Sequence, residues 1–494
     1  MHYSIDQSDP RRQCGKLSPV MHSPTPLIRA AGALYDEYRL DELPLALRRN
    51  SLDYYYLSIY PSLSEMKPLA PGDAPPYPAT VKNAYIHIPF CSGVCDFCSY
   101  YLVAVNPRRR AAIARYLERV KAELDFHARH TKLDISYIFF GGGTPSLIPA
   151  DALESFLAFM TDRRYLNPAA MGTLELHPEF FGDEAAAAQF LNILKRYGIS
   201  RVSVGYQLSD EEILRDTNRR HSTGFMSRAM AFLRDGGFVV NIDLMYGLSG
   251  QSLAGWEQTL VHALSFAPDS ISTYFLFVDR GTGLYEQVRR GRVELPSHRH
   301  IQTQHLMAQI ALGAAGYHEL PNDFWARDVG DPTTFRPERL PSAAVTLPVG
   351  PGAYGYYSRT QVANVFDLGA YERRMAAGSS PLWRCYHLND DESFHRDVMF
   401  ALKNDPYIDC SLFRSAYNKS PLDHFDSIFE QLARLGLAGT DGDRICLTSK
   451  GRLCVEEIAS LFRHPAINPA GDSLDNNRLL AKHNFAPAYP PVAW

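Results

Sequence analysis

The chain has 494 residues, 46% of them hydrophobic, enough for a large core and for two or more domains at about 100–200 residues each. Lys plus Arg number 50 and Asp plus Glu 54, a net charge of −4 that offers no general attraction to nucleic acid or to an anionic membrane. Eight cysteines are too few for a disulfide scaffold in a chain this size, MHYSIDQSDPRRQC lacks a signal-peptide h-region, and no apolar run approaches a membrane span, so a soluble protein of the reducing cytoplasm is expected.

In chain order, residues 1–50 mix polar stretches with a helix-like segment, SLDYYYLSIYPSLSEM at 51–66 is aromatic-rich, and PLAPGDAPPYPAT at 68–80 is a Pro-rich connector that cannot be regular helix. These make residues 1–80 an N-terminal extension. Short apolar runs then alternate with helical segments: AYIHIPF at 84–90, ISYIFF at 135–140, TLELH at 173–177, RVSVGY at 201–206, VVNIDLMYG at 239–247 and SISTYFLFV at 270–278. Strands separated by helices imply parallel strands with right-handed crossovers, and six such units predict a partial barrel over 81–330 with ligands at the C-terminal strand ends. Arg108–Arg110, the one basic tract, opens an amphipathic helix (Ala111, Ile113, Tyr116, Leu117, Val120) and reads as a solvated helix end. Residues 331–387 are expected to connect and close the barrel. From 388 to 465 the pattern becomes helical and then, in DRICLTSKGRLCVEEIASLF, strand, turn and helix; 466–494 is a Pro-rich tail.

The stretch CSGVCDFC places Cys91, Cys95 and Cys98 in one loop directly after the first barrel strand. Thiolates favour soft metals and iron–sulfur clusters, and three ligands leave one iron of a four-iron cluster open for a substrate or cofactor. A three-cysteine zinc site and unrelated buried thiols are the plainer alternatives. The other five cysteines, Cys14, Cys385, Cys410, Cys446 and Cys454, are dispersed. Gly141–Gly143 follow the second strand, where they allow close backbone approach and offer N–H groups to a small zwitterion. Glu175 ends the third strand, as a ligand for ribose hydroxyls or an ammonium or simply as a surface acid. Asp243 lies inside an apolar strand and should have a charged or donor partner. Arg219, in TNRRH, can pair with a carboxylate or mark a solvated helix end.

The set YIHIPFCSGVCDFC (85–98), FFGGGTPS (139–146), LELHPE (174–179), VGYQ (204–207) and NIDLMYGL (241–248) resembles the radical S-adenosylmethionine (SAM) superfamily, in the branch of oxygen-independent coproporphyrinogen III oxidases, over about 51–465. The resemblance implies an α/β fold: a partial (β/α)6 radical SAM barrel with an N-terminal extension and a C-terminal winged-helix-like α+β domain at LTSKGR. It also implies a [4Fe–4S] cluster on Cys91, Cys95 and Cys98 whose open iron is chelated by SAM. Reductive cleavage of that SAM gives methionine and a 5′-deoxyadenosyl radical, with the electron coming from a donor such as flavodoxin or ferredoxin. Residue matching assigns Tyr85, Gly142 and Glu175 to this SAM. A second SAM would be held by Phe97, Gly143, Thr144, Gln207, Arg219 and Asp243, with Phe277 nearby on the sixth strand. His87 matches as well, either as part of the site or as a hydrogen-bonded structural histidine.

Two positions depart from the oxidases, Tyr100 where a further cysteine is typical and Phe277 where a small residue is typical, and the continuation YYLVAV at 100–105 resembles class C radical SAM methylases and cyclopropanases of natural-product pathways. On that reading the second SAM donates carbon to an sp² carbon of a small-molecule substrate, giving methylation or cyclopropanation. Coproporphyrinogen dehydrogenation or a related tetrapyrrole reaction is the alternative enzyme, and a haem-binding chaperone the non-enzymatic alternative. The first 80 residues are too short and unpatterned for a corrinoid domain, and the dispersed cysteines do not suggest auxiliary clusters.

Overall fold

A computed structural model describes residues 24–49, 51–52, 59–69, 75–105, 110–219, 224–320, 323–327, 340–343 and 345–467. Arg108 and Arg109 of the basic tract, Cys14, the tyrosine run at 54–56 and the expected tail from 468 onward lie outside these residues.

Helix α1 (Pro26–Glu37) starts where the Thr25 side chain accepts from the Ile28 N–H, with Pro26 in the first turn, whose missing N–H costs nothing there. Six strands follow: β1 (Thr80–Ile88), β2 (Lys132–Gly142), β3 (Leu166–Leu176), β4 (Arg201–Gln207), β5 (Val239–Tyr246) and β6 (Ser270–Phe275). They pair in that order and all in parallel. Helices α2 (Arg110–Ala128), α3 (Ala150–Asp162), α4 (Glu184–Arg196), α5 (Gly224–Asp235) and α6 (Leu253–Ser265) fill the crossovers. The six expected strands are therefore present as an open, partial barrel.

The period of two along each strand divides its faces by chemistry. Ile86 and Ile88, Ile138 and Phe140, Leu174 and Leu176, Val202 and Val204, Ile242 and Leu244, and Ile271 join one hydrophobic core with helix residues such as Tyr116, Leu117, Phe156 and Leu191. The alternate positions, among them Tyr85, His87, Glu175, Ser203, Asn241, Asp243 and Ser272, fall on the other face. That alternation presents a polar row along the inner side of the sheet.

Both edges are extended. Beyond β6, after helix α7 (His298–Ala314), β7 (His318–Leu320) and β8 (Phe324–Ala326) add antiparallel strands. Beyond β1 come β9 (Thr346–Val349), parallel to it, then the antiparallel β10 (Tyr354–Tyr357), β11 (Thr360–Asn364) and β12 (Leu382–His387), with helix α8 (Leu368–Ala376) between the last two. Residues 346–387 thus widen the sheet on the β1 side. Glu123 of α2, fully buried, ties this extension down. It accepts from the Gly350 N–H (2.8 Å), the Asn364 side-chain amide (2.7 Å) and the Tyr371 hydroxyl, and lies 3.5 Å from His127.

The C-terminal domain opens with helix α9 (Asp390–Asn404), capped by the reciprocal Asn389–Glu392 pair that NDDE in the sequence encodes. Strand β13 (Ile408–Asp409), helices α10 (Cys410–Tyr417), α11 (Pro421–His424) and α12 (Asp426–Arg434), the hairpin β14 (Ala438–Asp441) and β15 (Arg444–Leu447), and helix α13 (Val455–Ser460) follow. The order of helix, strand, helices and hairpin is winged-helix-like, as expected. Buried Arg49 holds the parts together: its guanidinium reaches the Tyr246 hydroxyl of β5 (2.7 Å), His305 of α7 (3.3 Å) and Glu457 of α13 (3.4 Å). Among the described residues no helix is long and apolar enough to cross a membrane.

Replacing Glu123 with Ala strands three buried donors at once. We expect a loss of about 3 kcal/mol or more in folding stability, read from denaturant unfolding; a loss under about 1 kcal/mol would mean that the extension is held by its strand pairing alone.

Candidate active site

The cysteine loop leaves β1 and is closed at its base. Val103 N–H donates to the Pro89 carbonyl (2.6 Å) and Val105 N–H to that of Cys91 (2.9 Å). The next strand's turn is pressed against the same exit, with Gly143 N–H donating to Ile88 and Thr144 N–H to Phe90, each at 2.7 Å. A Cβ on Gly143 would lie 2.4 Å from the Phe90 carbonyl oxygen, so only glycine fits. Gly142, at φ 109°, has the His87 ring where a Cβ would be, 2.6 Å away. Thr144 is buried, with its hydroxyl 3.2 Å from Cys91 Sγ.

The far side of the loop is braced from β4 and β6. Asn218 donates to the Val94 carbonyl (2.8 Å), Asp96 N–H donates to Thr217 (2.9 Å), and Gln287, in the helix after β6, donates to the Asp96 carboxylate (2.6 Å). Phe97 packs on a separate apolar cluster that includes Leu208, Leu248, Leu276 and Leu284. Arg219 completes the brace: one guanidinium nitrogen lies 3.8 Å from Cys95 Sγ and another donates to the Gly205 carbonyl. Burial raises the Cys95 thiol and pushes Cys98 up to about 12, so these sulfurs become thiolates when a metal takes the proton's place.

His87 is a strut. Its Nε2 lies 2.9 Å from the Tyr101 carbonyl, which only accepts, so Nε2 carries the hydrogen and Nδ1 accepts from the Tyr85 hydroxyl at 3.1 Å. Burial lowers it to about 4, which keeps it neutral. This is the structural role of the two open for it.

Glu175 sits at the end of β3 with Oε2 3.2 Å from the Gly142 N–H. Burial first, and then the charge of Asp243, pushes it up to about 8. Asp243 has the donors its apolar strand requires. Ser203 donates to Oδ2 and Asn241 to Oδ1, both at 2.8 Å, and Asn241 also reaches Ser272 (3.0 Å). Burial raises Asp243 as well, against the pull of these donors and of Arg201 and Arg219. Tyr100 is 62% exposed; desolvation by neighbouring protein and the charges of Glu175, Cys98 and Asp243 raise its phenol.

Among the buried polar atoms of the described residues that have no partner are two beside the cysteine loop, Gln207 Oε1 and Arg219 Nε. Gln207 also holds a left-handed backbone, φ 68°, at the end of β4. An unsatisfied buried polar atom costs about 1–3 kcal/mol and such backbone strain a similar amount. Both costs fall on residues matched to a second SAM, and a polar ligand offering a donor and an acceptor would relieve the first. The donor set therefore fits the cofactors implied: three thiols in one loop for a cluster, Gly142 and Glu175 for an amino or ribose group, Gln207 and Arg219 for a second polar ligand.

The structure brings Tyr85, Gly142, Glu175, Asp243, Arg219 and the cysteine loop to one end of the sheet. Phe277 is different: β6 ends at Phe275, so Phe277 lies in the following loop and not on the strand where the sequence places it. Residues missed from the sequence are the braces Asp96, Thr217 and Asn218 and the partners Ser203 and Asn241. Asn241 was findable, two residues before Asp243 and thus on its face.

Residues 85–263 match the radical SAM superfamily. Over that stretch the chain is similar to radical SAM proteins. The proteins it is similar to include HemW and coproporphyrinogen III oxidase (HemN). It is 27% identical to the heme chaperone HemW of Bacillus subtilis over 390 residues, 77% of this chain and 99% of that protein. It is 26% identical to the oxygen-independent coproporphyrinogen III oxidase of Bradyrhizobium diazoefficiens over 400 residues, 77% of this chain and 86% of that one. The structure of coproporphyrinogen III oxidase (HemN) from Escherichia coli superposes with a TM-score of 0.68 at 24% identity, covering 78% of this chain and 91% of that one, which establishes the shared fold. The superfamily's cofactors are a [4Fe–4S] cluster and SAM. Closeness to class C methylases and cyclopropanases gains no support from these relatives.

Anaerobic reconstitution should give iron and sulfide for one [4Fe–4S] cluster per chain, and the triple Ala variant of Cys91, Cys95 and Cys98 should hold none; iron retained in that variant would place the ligands elsewhere. Glu175→Gln tests the pH behaviour. A carboxyl raised from 4.5 to about 8 in the fold withholds stability as pH rises through that window, because the unfolded chain ionises first. The variant should match wild type at pH ~4 and exceed it by roughly 3–5 kcal/mol at pH ~8.5. Equal stability at both would show that Glu175 ionises normally.

Proposed function

We propose that this chain is a radical SAM enzyme acting on a tetrapyrrole, by coproporphyrinogen oxidation or a related reaction. The observation that carries the reading is the pair of partnerless buried atoms, Gln207 Oε1 and Arg219 Nε, beside the cysteine loop. A protein that only carried a ligand would have no reason to keep a second polar subsite against the cluster. The substrate class comes from the relatives, named for haem and for coproporphyrinogen III.

A cluster on Cys91, Cys95 and Cys98, with SAM, supplies hydrogen-atom abstraction from an unactivated carbon. The chain's own residues bind and orient. Arg219 offers a planar donor pair suited to a carboxylate. Glu175, at about 8, can hold a proton at neutral pH and lose it to solvent when a cationic group binds beside it. Asp243 is fixed by Ser203 and Asn241, so its carboxylate keeps a constant direction. Tyr100, with its raised phenol, remains a hydrogen-bond donor where the oxidases resembled have a cysteine.

A second reading, haem-binding chaperone, draws on the nearly full-length match to HemW and on Tyr100 itself. Carbon transfer from a second SAM, the expectation from the class C resemblance, has less behind it, since the relatives reported are tetrapyrrole proteins. One experiment separates the three: anaerobic incubation of the cluster-loaded chain with methyl-deuterated SAM, a reductant, and coproporphyrinogen III or haem. The proposal expects unlabelled 5′-deoxyadenosine together with a changed tetrapyrrole spectrum. Deuterium in the 5′-deoxyadenosine would favour carbon transfer, and stoichiometric haem binding without turnover would favour the chaperone.

A further inference from the structure

We propose that Asp391, His395 and His424 form a site for a divalent transition-metal ion of the zinc or ferrous-iron type in the C-terminal domain. One donor atom from each lies within 4.8 Å of the others. Asp391 and His395 stand four apart on α9 and so share a face. His424 ends α11 and is carried over that face by aromatic packing: the Phe394 and Phe425 rings stack with centroids 5.8 Å apart, and His395 meets Phe425 edge-on at 4.9 Å.

A backbone carbonyl fixes the tautomer of His395. His395 Nδ1 lies 2.8 Å from the Phe462 carbonyl, which only accepts, so Nδ1 carries the hydrogen and Nε2 keeps its lone pair. Asp391 is oriented from outside. Ala466 N–H donates to His464 Nδ1 (3.2 Å), which leaves the hydrogen of His464 on Nε2, and that hydrogen points to Asp391 Oδ2 at 3.3 Å. The Lys419 ammonium donates to the other oxygen, Oδ1. Each carboxylate oxygen accepts twice, so both partners can stay while an ion binds. Two imidazoles and one carboxylate suit zinc or ferrous iron, whereas magnesium and calcium prefer all-oxygen sets. Three protein ligands leave a coordination position open, on the side of exposed His424. The metal-free alternative is an ion-pair network of Asp391, Lys419 and His464, in which His424 has no part.

The test is equilibrium dialysis of the cluster-loaded chain, kept anaerobic, against zinc and separately against magnesium, with iron measured in the same samples. The expected result is one zinc per chain beyond the cluster iron, and no magnesium. His424→Ala alters an exposed residue and leaves the core intact; it should weaken zinc binding at least tenfold, and Asp391→Asn should do the same. Wild type that binds no zinc, magnesium bound as well as zinc, or zinc retained at wild-type affinity in both variants would each overturn the site.

Discussion

The architecture rests on one close approach, the backbone of Gly143 and Thr144 laid against the carbonyls of Ile88 and Phe90. Parallel strands place their C-terminal ends side by side, but side chains would normally keep the turns apart. Glycine removes that spacer, and two 2.7 Å hydrogen bonds fasten the turn after β2 to the exit of β1. The cysteine loop therefore departs in a direction set by its neighbour, and Thr144 arrives beside Cys91 with no further element needed. The two halves of the cofactor site, sulfur ligands and glycine cradle, are one piece of backbone.

The inner face of the sheet is costly for a barrel to keep. Glu175 and Asp243 repel each other's charge, both are raised by burial, and Arg201 and Arg219 only partly offset this. A sheet selected for stability would place aliphatic residues at these positions, as it does on the opposite face. The two acids of this row, Glu175 and Asp243, carry a cost that ligand binding would offset.

Much of this was legible in the sequence, for identifiable reasons. The six strands stood out because each alternates aliphatic residues against small or polar ones between helical stretches. The start of β3 was hidden by Pro168 and Gly172, which read as breakers, although the strand begins at Leu166. Strands β9 to β12 were invisible because they are short and because β9 takes its place from β1, far away in the chain. Asp243 announced its need for partners by lying in an apolar run, and Ser203 and Asn241 meet that need. Phe277 was misplaced because FLFV continues the apolar pattern past the last ladder pair, at Phe275. The partnerless atoms of Gln207 and Arg219 could not be read at all, since lacking a partner is a property of the folded neighbourhood.

The place of β1 has a consequence for the order in which the chain can be built. The strand that launches the cysteine loop sits mid-sheet, but its outer neighbour is residues 346–349, pairing with 83–86. During synthesis β2 reaches β1 early, while the opposite edge of β1 stays bare until the polypeptide beyond β8 has emerged. A bare parallel edge next to three unligated thiols is open to wrong pairing and to oxidation together. Buried Glu123, waiting on α2 for Gly350 and Asn364, is the latch that ends that interval.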